Sequence, residues 1–140
     1  SIAETLQFAE EHKFCFAAFN ILMPYPSTPL YARLESEGRL LWGGKWWLHP
    51  EYRFNHAAFI PKNMTPGELT EAVFQCRLRW NSVPSILTRV WDFQTHLNSP
   101  YRLGTYFVYN RLFASEAMTK HGMYFGKHED SITMADHGAR

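Results

Sequence analysis

The 140-residue chain has only two cysteines, Cys15 and Cys76, and a formal net charge of +1. Two thiols are too few for a disulfide framework or a four-thiolate metal site. They fit small core side chains in a reducing compartment, so a cytoplasmic location is expected. The missing basic surplus argues against a protein that holds nucleic acid mainly by charge. Long apolar runs are absent too. The longest, Phe14 to Phe19, ends at Asn20, whereas a membrane-spanning helix needs about 20 apolar residues. No basic stretch followed by an apolar one marks a signal peptide at the N-terminus. There is no glycine-rich phosphate loop and no serine in a nucleophile-elbow setting.

Metal and acid–base patterns are equally thin. The seven histidines, His12, His49, His56, His96, His121, His128 and His137, include no i, i+4 pair. The carboxylate pairs Glu10-Glu11 and Glu129-Asp130 are adjacent, so on a helix they do not face one another. Asp92 sits near Arg89 in an apolar stretch and reads as half of a structural ion pair. Arg77 and Arg79 beside Trp80 read as a solvated helix face; stacking on single-stranded RNA is the sharper alternative.

What the sequence has in quantity is aromatic residues: five Trp, seven Tyr and eleven Phe. They concentrate in Phe14–Phe19 and in Trp42–Phe54. Ala3 to His12 predicts a short amphipathic helix with Leu6 and Ala9 inward. Phe14 to Met23 is almost unbrokenly apolar, which predicts a strand buried on both faces, as in parallel α/β sheets. The run ends in Pro24-Tyr25-Pro26-Ser27-Thr28-Pro29, since prolines deny a ladder its amides. Thr28 is placed to cap a helix with Pro29 at its first position, and Gly38 to end it. After an aromatic loop, Thr65-Pro66-Gly67-Glu68 forms a capping box. Leu69, Val73, Cys76 and Trp80 mark the buried face of the helix it opens. A second helix is predicted over Ile86, Leu87, Val90, Trp91 and Leu97. Ser99-Pro100 opens a third, which stops near Gly122.

In α/β sheets, ligands bind beyond the carboxyl ends of parallel strands. That position here is Asn20 to Pro26. Backbone groups of Ile21, Leu22 and Met23 released at the proline turn would meet the edge of a planar ligand there, with Met23 and Tyr25 lining the pocket.

The run Phe19-Asn20-Ile21-Leu22-Met23-Pro24-Tyr25-Pro26-Ser27-Thr28-Pro29-Leu30-Tyr31, with Leu34 and Glu37-Gly38-Arg39-Leu40, resembles the last barrel strand of radical SAM proteins. It is similar to those with a cobalamin-binding domain, including anaerobic magnesium-protoporphyrin IX monomethyl ester cyclase-like proteins. Ser27 stands where that pattern commonly has glycine, a departure expected only to alter the turn. Phe59-Ile60-Pro61-Lys62, Met64-Thr65-Pro66 and Glu68-Leu69 resemble the helical extension that follows the barrel. The likeness covers roughly residues 1–126.

The resemblance implies an α/β fragment, mainly helical: the last helix and strand of a partial (β/α) barrel, followed by an α-helical C-terminal extension. Residues 1–40 would end the barrel, 41–62 form an aromatic-rich loop, 63–126 the extension and 127–140 a disordered tail. It implies an enzyme that cleaves S-adenosylmethionine reductively at a [4Fe–4S] cluster to start a radical reaction. Asn20, Ile21, Leu22, Met23, Pro24 and Tyr25 would border the adenosyl group. Trp46, Trp47 and Tyr52 would cover the substrate side, suited to an apolar or planar small molecule. The cluster needs cysteine thiolates that this chain lacks. The start at Ser1 therefore carries the expectation of a missing N-terminal part holding a Cys-x3-Cys-x2-Cys motif. Cobalamin is an allowed cofactor of that parent; no cofactor is expected on this chain alone. The alternative is a non-catalytic helical protein-interaction module. An uncovered apolar strand would also leave the isolated chain prone to association.

Overall fold

A computed structural model describes residues 2–124, and the expected tail at 127–140 lies outside them. Within that span the chain is mainly helical: α1 (Ile2–Glu11), α2 (Pro29–Ser36), α3 (Pro66–Trp80), α4 (Val83–Arg89) and α5 (Pro100–Lys120). Two short 3-10 turns, Leu41–Gly44 and Trp46–Leu48, shape the aromatic loop.

Local chemistry sets the helix starts. Thr28, Thr65, Ser82 and Ser99 each accept a hydrogen bond from a first-turn amide, and each is followed by proline in the first turn. These are the amides a helix leaves unpaired, and proline gives up a donor that had no partner anyway. The Thr65–Glu68 capping box closes in both directions, as its spacing predicts. Those backbone and side-chain bonds hold the Glu68 carboxyl below its ordinary pKa.

The buried apolar side chains gather in three small clusters. Leu6 and Ala9 of α1 pack on Cys76 and Trp80 of α3. Ile21, Ala57 and Val73 form a second cluster, and Trp46, Tyr52 and Ala58 a third. Residues 39–41 run antiparallel to 58–60: Ile60 and Leu41 amides donate to the Arg39 and Ala58 carbonyls at 2.8 and 3.1 Å. An isolated antiparallel bridge joins Leu40 and Phe59 there.

Four expectations need correction. First, Phe14–Met23 is not a strand buried on both faces. It is extended, but no ladder forms along it. Exposure alternates along it: Cys15, Ala17 and Phe19 are partly buried, whereas Phe14, Phe16 and Leu22 are exposed. Second, the helix expected to reach Leu97 stops at Arg89. Asp92 then folds its carboxylate onto the amides of Gln94 and Thr95 and the Thr95 hydroxyl. An aspartate that bonds the amides just after it competes with helix continuation. Third, Arg89 has no ion pair with Asp92; it is turned inward. Fourth, Arg77 is buried, not solvated.

The last two corrections explain the first. Arg89 is 1% exposed and lies over the Trp80 ring at 3.6 Å. Its guanidinium donates to the carbonyls of Phe14 (2.9 Å), Cys15 (3.3 Å) and Trp80 (2.9 Å) and to Asn110 Oδ1 (3.1 Å). Asn110 in turn donates to the Cys15 carbonyl at 3.0 Å. His96 Nε2 donates to Lys13 at 2.7 Å, and Arg77 Nε to Phe19 at 2.6 Å. Side chains from the C-terminal helices therefore do for these carbonyls what a neighbouring strand does in a sheet.

Candidate functional site

The six residues predicted to border a ligand form one continuous edge at the end of the extended segment. Asn20 Oδ1 accepts from Arg77 Nη2 at 3.0 Å. Ile21 is buried in the second cluster, whereas Leu22 is 63% exposed. The Met23 sulfur accepts from the Tyr52 hydroxyl at 3.7 Å. Pro24 is buried, and its carbonyl accepts from Trp46 Nε1 at 3.1 Å. Tyr25 is exposed and meets the Trp46 ring edge-on at 5.8 Å.

Their backbone groups divide in two. Met23 and Tyr25 carbonyls are taken up by the turn itself, from the amides of Tyr25 and Thr28 at 3.1 and 3.2 Å. The Thr28 hydroxyl adds a bond to the Tyr25 carbonyl at 2.7 Å. Among the described residues, the amides and carbonyls of Ile21 and Leu22 have no hydrogen-bond partner. That leaves two consecutive peptide units able to bond an external donor–acceptor edge.

The turn behind this edge has one unusual backbone conformation. Ser27 has φ 66°, in the left-handed region that favours glycine. The aromatic loop supports it from below: Trp46 is buried against Trp47 and Tyr52, edge-on at 5.4 Å and tilted at 4.9 Å. Burial, with Tyr25 nearby, pushes the Tyr52 phenol up to about 12, so it stays a neutral donor to Met23. Trp46 and Tyr52 thus serve as packing beneath the turn. Trp47 is half-buried at their side.

No family model, curated protein or solved structure matches the chain.

As to groups this chain can hold, both cysteines are unbridged and burial raises both thiol pKa values. Neither is poised as a thiolate ligand. Among the described residues no three His, Cys, Asp or Glu side chains group to hold a metal ion. A [4Fe–4S] cluster does not fit the described residues. No helix among the described residues is long and apolar enough to cross a membrane.

The sequence reading missed the inward roles of Arg77 and Arg89. A signal was there for Arg77: it falls four residues after Val73 and one after Cys76, on the stripe that those two residues and Trp80 define. Arginine at such a position buries its stem and brings its fork to backbone carbonyls.

Proposed function

We propose that the chain acts as the C-terminal portion of a radical SAM enzyme. In this reading the backbone edge at Asn20–Tyr25 borders the adenosyl group of S-adenosylmethionine, and the aromatic loop and helices cover the substrate side. One observation carries it: the Ile21 and Leu22 peptide units, at the predicted position beside the proline turn, are unpaired among the described residues. An adenine edge offers alternate donors and acceptors in one plane, which two such units match. The positive φ of Ser27 adds support, because it accounts for glycine being common there in the proteins the sequence resembles.

The cluster-binding cysteines belong to a part of the enzyme outside these residues, and this chain alone carries out no radical chemistry. The partner is that missing part. The substrate is an apolar or planar small molecule, the enzyme is cytoplasmic, and cobalamin is a cofactor open to the parent protein. The test is to read the coding sequence in frame upstream for Cys-x3-Cys-x2-Cys and reconstitute the intact protein anaerobically with iron and sulfide. Formation of 5′-deoxyadenosine from S-adenosylmethionine is the expected result. Absence of the motif, or a four-iron spectrum with S-adenosylmethionine cleavage on this chain alone, defeats the proposal.

A second reading is a non-catalytic helical interaction module. It is favoured by α5, where Tyr101, Val108, Leu112 and Met118 are exposed apolar side chains on one long helix. Binding of a partner protein through α5, with no S-adenosylmethionine cleavage by the intact protein, distinguishes it.

A further inference from the structure

The chain turns back on itself after α5. Lys120 ends the helix, Gly122 takes a left-handed φ of 71°, and Met123 and Tyr124 return alongside Arg53 and Phe54. Backbone bonds close this short pairing. The Gly122 amide donates to the Phe54 carbonyl at 3.2 Å, and the Phe54 amide to the Met123 carbonyl at 2.7 Å. The Arg53 guanidinium lies over the Tyr124 ring at 3.3 Å. The Arg53–Phe54 side is anchored to α3, since the Ala57 amide donates to Thr70 Oγ1 at 3.0 Å. His121 to Tyr124, by contrast, belong to none of the three buried clusters.

His56 and His121 sit at this pairing. His121 stacks on Phe74 of α3 with ring centroids 3.7 Å apart, and lies 5.5 Å from the His56 ring. A Cβ on Gly122 would meet His56 Nε2 at 3.9 Å, so that ring borders the turn itself. His121 Nδ1 is buried with no hydrogen-bond partner among the described residues. A neutral ring tolerates this, because one of its nitrogens carries no hydrogen. An imidazolium carries hydrogen on both, so protonation puts a charged donor at Nδ1 with nothing to accept it.

Most of the surroundings oppose that charge. Burial is the largest cause holding both rings below their ordinary value of 6.5. Arg53 and a charged His121 act against protonation of His56, and Arg77 of α3 acts against protonation of His121. Glu71 of α3 favours a charged His121, but it already accepts from Gln75 at 2.6 Å. On α5, Glu116 and Lys120 pair with each other.

We infer that residues 121–124 form a proton-operated clasp, held to Arg53 and Phe54 while His56 and His121 are neutral and released when they are protonated, with the helices still folded. Release carries the rings into water, where the charge is solvated and Nδ1 finds a partner. Opening breaks the short backbone pairing and uncovers Phe74, and leaves the three clusters in place. The direction follows from linkage: groups whose folded pKa is lowered support the closed form above about pH 6.5 and cease to as pH falls through the lowered values. The clasp does not depend on the function proposed above.

The test follows amide hydrogen exchange of the full chain by NMR between pH 7.5 and 5.0, as protection relative to an unfolded chain at the same pH. Protection at Phe54 and Gly122 is expected to fall about tenfold or more, as in local opening. Both amides are expected to share one midpoint below pH 6.5 with the His121 ring protons, while the helical circular dichroism stays unchanged. His56→Gln with His121→Phe removes both titrations and keeps a ring on Phe74. It is expected to keep both amides protected at pH 5.0. If that variant does not melt cooperatively, His56→Gln alone decides, and is expected to make the fall smaller. Unchanged protection in the wild-type protein, loss of helix in step with loss of protection, or an equal fall in a folded variant overturns the proposal.

Discussion

Arg89 Nη1 donates to the carbonyl of Phe14 at 2.9 Å, across seventy-five residues of chain. With Arg77 on Phe19, it makes the C-terminal helices a substitute for a neighbouring strand. The same guanidinium reaches Cys15, Trp80 and Asn110, so one side chain joins α3, α4, α5 and the extended segment. Arg89→Met keeps much of the apolar stem but strands several buried carbonyls at about 1–3 kcal/mol each. The expected loss is about 3 kcal/mol or more in urea denaturation, whereas Arg79→Met, whose partner is the surface carboxylate of Glu10, costs under about 1 kcal/mol.

Ser27 tests the proline turn. Its φ of 66° costs a side-chain-bearing residue about 1–2 kcal/mol that glycine does not incur. Glycine gives back about 0.4–1 kcal/mol through the greater freedom of the unfolded chain. Ser27→Gly is therefore expected to raise stability by about 0.5–1 kcal/mol, read as a higher denaturation midpoint at unchanged slope. A fall in the midpoint contradicts the turn geometry.

Gly44 predicts the opposite sign. It is buried at φ 79°, and a Cβ there would lie 2.2 Å from Tyr31 Oη. Gly44→Ala carries both the left-handed strain and a clash with the tyrosine that anchors α2 to the aromatic loop. A loss of about 2 kcal/mol is expected, and Tyr31→Phe in the same chain recovers part of it by removing the clashing oxygen.

Two histidines set the pH response above the carboxylate range. Burial holds His56 and His121 below the ordinary value of 6.5, helped by each histidine's cationic neighbours. The unfolded chain binds their protons at higher pH than the folded chain does, so stability rises with pH in that interval. Their contribution is complete above about pH 6.5 and is lost as pH falls through the lowered folded values. Urea midpoints are expected to drop between pH 7.5 and 5.5, and His56→Gln with His121→Phe is expected to flatten that slope. An unchanged slope in a folded double variant contradicts the assignment.

The helices were legible because their signals are local. Thr28, Thr65 and Ser99 announce their helices within four residues, and Leu6, Ala9, Val73, Cys76 and Trp80 repeat at helical spacing; the Ser82 cap of α4 was not read. The extended segment was misread because its run of apolar letters hides an alternation. Cys15, Ala17 and Phe19 are partly buried, while Phe14, Phe16 and Ala18 are exposed. The groups that satisfy its carbonyls come from Arg77, Arg89, His96 and Asn110, some sixty to ninety-five residues downstream. Charge on a helix reads as solvent-facing unless its position in the stripe is weighed, and this is where Arg77 was lost. The edge at Ile21–Leu22 was found by position, from the proline turn, and its freedom from bonds was not visible in any side chain.

That edge has a consequence for the isolated chain. Phe14, Phe16 and Leu22 are exposed on the outer face of the extended segment, and Phe16 stacks on Phe113 at 5.6 Å. Side chains from the helices take up several of its carbonyls, yet the outward apolar row remains beside unpaired peptide units at Ile21 and Leu22. An apolar extended edge of this kind recruits another strand. Self-association that increases with concentration in sedimentation velocity is expected, with Leu22→Lys shifting the protein toward monomer at little cost in stability, since the site is exposed. Phe113→Lys, on α5, leaves Ile21 and Leu22 untouched and is expected to shift it less. A wild-type protein that stays monomeric across the accessible concentration range, with a single cooperative melt, shows that the helices cover this edge sufficiently and counts against a missing strand beside it.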